Sequence, residues 1–134
     1  MMDVPALERR AVAGIAAVTI ATGAAQVAVA PPLLAIIATP AASQAAPLAS
    51  HLFATVGMFM VLFGGATLHA LWRPGALQAV LRVVLLWGCL QKLLAAVLVA
   101  WGVARGVFAP LALAVAAFDF ASGLLYLDLR RRAG

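Results

Sequence analysis

A bundle of four membrane-spanning α-helices with both termini on one side is the fold class that this sequence predicts, and three observations predict it. The chain is 66% hydrophobic and 10% charged, with a mean hydropathy of +1.13, whereas a globular surface needs about 25% charged residues. Four runs with few or no charges each reach the roughly 20 residues that cross about 30 Å of hydrocarbon. Arginines and prolines gather at the ends of those runs. With 134 residues there is room for one membrane domain and none for a second.

Residues 1–10 form a polar lead containing Asp3, Glu8, Arg9 and Arg10. Residues 11–30 are uncharged and rich in Ala and Val, and make the first span. A basic lead before an apolar run ending Ala28-Val29-Ala30 also describes a secretory signal. Pro31, directly after that site, disfavours cleavage, and the run is expected to stay as a transmembrane helix.

Residues 31–50 carry Pro31, Pro32, Pro40 and Pro47 around an apolar stretch, residues 33–38, that is too short to span. They are expected to form an external loop in the interface or against a partner. Residues 51–72 make the second span, stopped by Arg73-Pro74-Gly75. Residues 77–104 make the third and 109–129 the fourth, joined by a short link through Arg105 and Gly106, and 130–134 form a basic tail.

The arginines set the expected orientation. With the N-terminus inside, Arg9, Arg10, Arg73, Arg82, Arg130, Arg131 and Arg132 are cytoplasmic and Arg105 alone is external, which is the positive-inside bias. Trp72 and Tyr126 then fall near the inner boundary and Trp101 near the outer one, where amphipathic rings prefer to sit. The alanine richness suits a GC-rich bacterial genome, so the expected location is the inner membrane of a bacterium. The net charge of +5 is a topology signal; it is not a nucleic-acid surface, because the basic residues sit at run ends and not in a patch with aromatic platforms.

Helical spacing gives each span one small or polar stripe. In the fourth, Ala112, Ala116, Asp119, Gly123 and Tyr126 recur at i+4 and i+3, with Ser122 beside them. In the third, Leu85, Gly88, Cys89, Lys92, Ala95 and Ala96 cluster around the lysine. The second offers Gly57, Met60, Gly64 and Thr67, and the first Ile15, Thr19, Thr22 and Gln26. Small-residue pairs such as Ala112/Ala116, Ala117/Ala121 and the Gly57/Val61/Gly65 series suit close packing, since lipid tails give helices no hydrophobic reason to associate. A rise of about 1.5 Å per residue puts Thr22, Met60, Lys92 and Asp119 near mid-membrane. A common polar centre lined by Thr19, Thr22, Gln26, Met60, Thr67, Cys89 and Ser122 is therefore expected.

Lys92 and Asp119 are the sharpest candidates in the chain. They lie a similar distance on either side of the link, so folding the third span back on the fourth brings ammonium and carboxylate to similar depth. An unpaired charge at mid-bilayer costs at least about 2.5–3.5 kcal/mol, and each residue supplies the other's partner. The pair reads as a structural salt bridge that fixes helix register, as a proton- or ligand-responsive pair, or as two charges with separate partners on another subunit. A second polar layer near the inner face is expected from His69, Arg73, Arg82, Tyr126 and Asp128, with Arg82 and Asp128 nearly symmetric about the link. It reads either as an interfacial charge pair with snorkelling arginines or as a pocket for a lipid or quinone head group.

Several chemistries are excluded. His51 and His69 are five helical turns apart, about 27 Å, so they share no metal or haem, and His51 is expected to bond an outer group such as Gln26. One cysteine gives neither an internal disulfide nor a cysteine cluster, and Cys89 suits packing better than nucleophilic attack. The chain has no Gly-rich phosphate loop, no HExxH and no Cys-x-x-Cys. Neither metal nor cofactor is expected.

In size and hydropathy the chain resembles small four-span membrane proteins of the DoxX-like kind; that resemblance implies a four-helix membrane fold and carries no residue roles. The expected function is a non-catalytic accessory or assembly subunit of a larger membrane complex, with membrane lipids, other membrane subunits or further copies of itself as partners. The alternative is a small transporter or a lipid- or quinone-binding bundle that uses Lys92 and Asp119.

Overall fold

The computed structural model describes residues 6–40, 46–72 and 78–133. They form five helices: α1 (Ala6–Ala28), α2 (Ala30–Ile37), α3 (Ala46–Trp72), α4 (Gln78–Ala104) and α5 (Ala112–Arg132). Four of them, α1, α3, α4 and α5, are long and apolar enough to cross a membrane.

The helices run further than the prolines suggested. Pro31 and Pro32 lie in the first turn of α2, and Pro47 lies in the first turn of α3. A proline there loses nothing, because the first backbone N–H groups of a helix have no intrahelical acceptor and the fixed φ is already helical. The expected loop over 31–50 thus contains most of the eight-residue helix α2 and the opening of α3, and its residues 41–45 lie outside the described residues. The break between α1 and α2 falls at Val29, whose φ of −136° and ψ of 46° leave the helical region. At the other end of the chain α5 continues through Arg130, Arg131 and Arg132, where positive side chains meet the negative end of the helix dipole. Arg73 and its turn lie outside the described residues.

Ring order follows from which helices touch. α1 packs along α3 and α4 along α5, and the two pairs meet where α3 faces α4 and α1 faces α5. Neighbours are antiparallel. Two contacts tie the terminal end of the bundle: Arg132 Nη1 meets Glu8 Oε1 at 2.8 Å, and the Arg9 guanidinium donates to the Leu71 carbonyl, one of the last α3 carbonyls that lack a helical partner. The start of α1, the end of α3 and the end of α5 are therefore together.

The α1–α3 seam is built on small residues repeating every seven. A Cβ on Gly23 would lie 2.5 Å from the Gly57 carbonyl oxygen, and one on Gly57 would lie 2.5 Å from that of Gly23. Two turns towards the terminal end, a Cβ on Gly64 would lie 2.8 Å from the Ala16 carbonyl oxygen. A seven-residue repeat on both partners keeps one stripe facing the other over its whole length. Gly65 meets nothing within 4 Å, so the expected Gly57/Val61/Gly65 series is replaced by Gly57/Gly64. Ala112 and Ala116 are buried as expected, whereas Ala117 and Ala121 are exposed.

The opposite end closes around the α4–α5 link. Gly106 has φ +70°; its N–H donates to the Val103 carbonyl at 3.0 Å and that of Val107 to the Gly102 carbonyl at 2.8 Å, the Schellman arrangement that ends a helix on a left-handed glycine. Phe108 folds back so that its ring fills the space where a Gly102 Cβ would be. The connector after α2 locks onto this link: Thr39 N donates to the Val107 carbonyl, Ala109 N to the Ile37 carbonyl, and Thr39 Oγ1 to the Gly106 carbonyl at 2.7 Å.

The seam gives a paired test. Gly57→Ala should destabilise the bundle by about 1–3 kcal/mol through overpacking, while Gly65→Ala should be neutral or stabilising by up to about 1 kcal/mol from helix propensity. Thermal unfolding of both variants in one detergent reads the difference, and equal losses would contradict the seam.

Candidate functional site

The α4–α5 seam carries the charges. Lys92 Nζ donates to Asp119 Oδ1 at 2.6 Å, with the two side chains 3% and 9% exposed. Lys92 and Asp119 fall on facing stripes because the Gly106 turn reverses the chain between them and the stripes share a heptad-like repeat. On α5 the buried residues are Ala112, Ala116, Asp119, Ser122, Gly123, Tyr126 and Leu129, and on α4 the buried face includes Leu81, Leu85, Cys89, Lys92 and Ala96.

Small residues make this approach possible. A Cβ on Gly123 would fall 2.7 Å from Leu93 Cδ2 and 3.4 Å from the Cys89 carbonyl oxygen, so α5 lies directly on α4 one turn from the ion pair. The Lys92 ammonium also stands 5.4 Å from the Phe118 ring centroid, within the range of a cation–π attraction. The ammonium thus meets a carboxylate and an aromatic face at once, which compensates part of the cost of taking both charges out of water.

Buried side chains of the diagonal helices α5 and α3 meet at Gly88 of α4: a Cβ there would lie 2.7 Å from Tyr126 Cε1 and 3.9 Å from Thr67 Oγ1. Thr67 Oγ1 itself donates to the Phe63 carbonyl at 2.9 Å. Thr19 is buried on α1 and donates to its own Ile15 carbonyl at 2.9 Å.

The expected polar centre is therefore only partly assembled. Thr19, Thr67, Cys89 and Ser122 are buried with Lys92 and Asp119. Thr22 is exposed and leaves the stripe. Its place on the buried face of α1 goes to Gly23, because close approach to Gly57 needs a residue without a side chain. Met60 and Gln26 are half-buried. Gln26 Oε1 is buried without a hydrogen-bond partner, so His51 does not take it. His51 is exposed and borders an outward-facing groove of about 500 Å³ between α1 and α3, lined also by Ala24, Val27, Met58 and Leu62.

The inner layer is rearranged. Asp128 pairs with Arg132 on its own helix at 3.0 Å and not with Arg82, because i and i+4 side chains on one helix are neighbours already. Arg82 and His69 are exposed, Tyr126 is buried with Thr67, and Arg73 is outside the described residues. Sequence reasoning missed Glu8 as the partner of Arg132 and Gly23 as a contact residue. The signal for Gly23 was its seven-residue spacing from Ala16, matched by Gly57 and Gly64 on α3. Among the described residues no group of three or more His, Cys, Asp or Glu side chains could hold a metal ion.

Compared with protein-family models, curated proteins and solved structures, the chain matches none. The ion pair is closed, with both side chains buried between two helices in direct contact.

Removing one partner strands the other. Lys92→Ala should cost about 3–5 kcal/mol, less if Asp119 takes up a proton, and Lys92→Met with Asp119→Leu should recover much of it. Unfolding free energies of the two single variants and the double variant check this; additive losses would mean that the residues act separately.

Proposed function

We propose that the chain is a non-catalytic, multi-pass membrane protein that serves as an accessory or assembly subunit of a larger membrane complex. The observation that carries this reading is the closure of the Lys92–Asp119 pair at 2.6 Å among buried side chains. Intramembrane ionisable groups that serve a transport path face a cavity or a relay, whereas this pair is used up in holding α4 to α5. Two of the polar groups around it are also occupied locally: Thr19 and Thr67 donate to carbonyls of their own helices.

The outward surface supports the same reading. α3 turns Leu52, Val56, Phe59 and Leu62 outward, and α4 does the same with Trp87, Leu94 and Leu98, faces that only lipid or another membrane helix would cover. The arginines at the terminal end fit a cytoplasmic placement of both termini in a cell membrane by the positive-inside rule. A second reading, a binder of a lipophilic ligand, draws on the groove between α1 and α3, which lies on the outer surface and away from Lys92 and Asp119.

Mild-detergent extraction of the tagged protein from its native cells, followed by mass spectrometry, separates these readings. The subunit reading expects larger membrane proteins in stoichiometric amount. A lone bundle, with no larger membrane protein in stoichiometric amount, would contradict it.

A further inference from the structure

The terminal end of the bundle holds more positive charge than its own carboxylates can take up. Arg9, Arg10, Arg82, Arg130, Arg131 and Arg132 stand there against Glu8 and Asp128 among the described residues. Both carboxylates go to the single cation Arg132, and Arg9 is engaged with the Leu71 carbonyl.

Register brings two of the remaining arginines to one place. The Lys92–Asp119 contact fixes α4 against α5. Arg82 precedes Lys92 by ten residues and Arg130 follows Asp119 by eleven, which is about 15 and 16 Å along two antiparallel helices. Arg82 lies two turns before Cys89, whose carbonyl faces Gly123 of α5, and Arg130 continues the stripe of Asp119 and Tyr126 that faces α4. Arg82 and Arg130 therefore stand at one level along the α4–α5 seam.

Among the described residues, no acid pairs with either of them. Asp128, the carboxylate at this level, is turned to Arg132. Arg82 is exposed, and Arg130 is half-buried with its Nε buried and lacking a hydrogen-bond partner. Two like charges side by side repel unless an anion bridges them, and the guanidinium fork matches phosphate oxygens in bidentate fashion. Deeper on α4, Leu90 is exposed, apolar surface that an acyl chain can lie against from the anion inward.

We propose that Arg82 and Arg130 form a clamp for the phosphate of an anionic phospholipid head group at the terminal end of the α4–α5 seam. The clamp rests on the membrane placement proposed above and not on the subunit role. Protein that a sodium carbonate wash strips from membranes would overturn that placement and the clamp together, so lipid binding is read on the membrane-retained protein.

Native mass spectrometry of the purified protein, titrated with phosphatidylglycerol or phosphatidylcholine in a non-ionic detergent, tests the clamp. The wild-type chain should retain phosphatidylglycerol about thirtyfold better, the effect of two cations near a lipid surface. Arg82→Gln with Arg130→Gln should bring the ratio close to one, and Arg131→Gln should leave it unchanged. The double Lys variant keeps the charge and loses the fork, so it should bind less phosphatidylglycerol than wild type even if the Gln variant fails to fold. A double Gln variant of unchanged preference, a double Lys variant equal to wild type, or an equal loss in Arg131→Gln would overturn the clamp. Inorganic phosphate that displaces phosphatidylglycerol completely and binds as well by itself would overturn the lipid as the source of the phosphate.

Discussion

The ion pair between Lys92 and Asp119 is the constraint on which the rest of this bundle depends. Two charges inside an apolar chain are costly apart and tolerable together, so α4 and α5 have one register in which both are satisfied. That register sets the neighbours: Gly123 against Leu93 and the Cys89 carbonyl, Tyr126 over Gly88, and Arg82 level with Arg130. Sliding α5 by one turn would strand both charges and drive the Tyr126 ring into a side chain.

The α1–α3 pair solves the same problem without charge. Gly23 on Gly57 and Ala16 on Gly64 let backbones approach until a single added carbon would collide, so van der Waals packing sets the register there. The two pairs are then joined by few contacts: Tyr126 and Thr67 meeting at Gly88 in the middle, Glu8 to Arg132 and Arg9 to Leu71 at the terminal end, and Thr39 to the Gly106–Val107 link at the other. Each pair is rigid by its own means, and these contacts fix how the pairs meet.

Much of this was legible in the sequence. The count of long apolar helices and the facing of Lys92 and Asp119 follow from hydropathy and from distance to the link, because burying a charge leaves few alternatives. Periodicity was weaker where two neighbours compete for one face: it could not choose between Gly64 and Gly65, and it assigned Thr22 to a stripe that close packing gives to Gly23. Pro31, Pro32 and Pro47 read as loop residues because a proline breaks a helix interior, yet the same residues sit comfortably in a first turn. The Glu8–Arg132 pair joins opposite ends of the chain and had no local signature. Function was the least legible, since a charge pair that holds helices and one that serves a ligand look alike in sequence.

The most direct measurement is the dipolar coupling between Lys92 Nζ and the Asp119 side-chain carboxyl carbon, by solid-state NMR on isotopically labelled protein in lipid bilayers. The account predicts a strong coupling that survives dilution with unlabelled protein, as direct contact within one chain requires. Absence of the coupling, or its loss on dilution, would show that the charges are satisfied elsewhere, and the register built on them would fall.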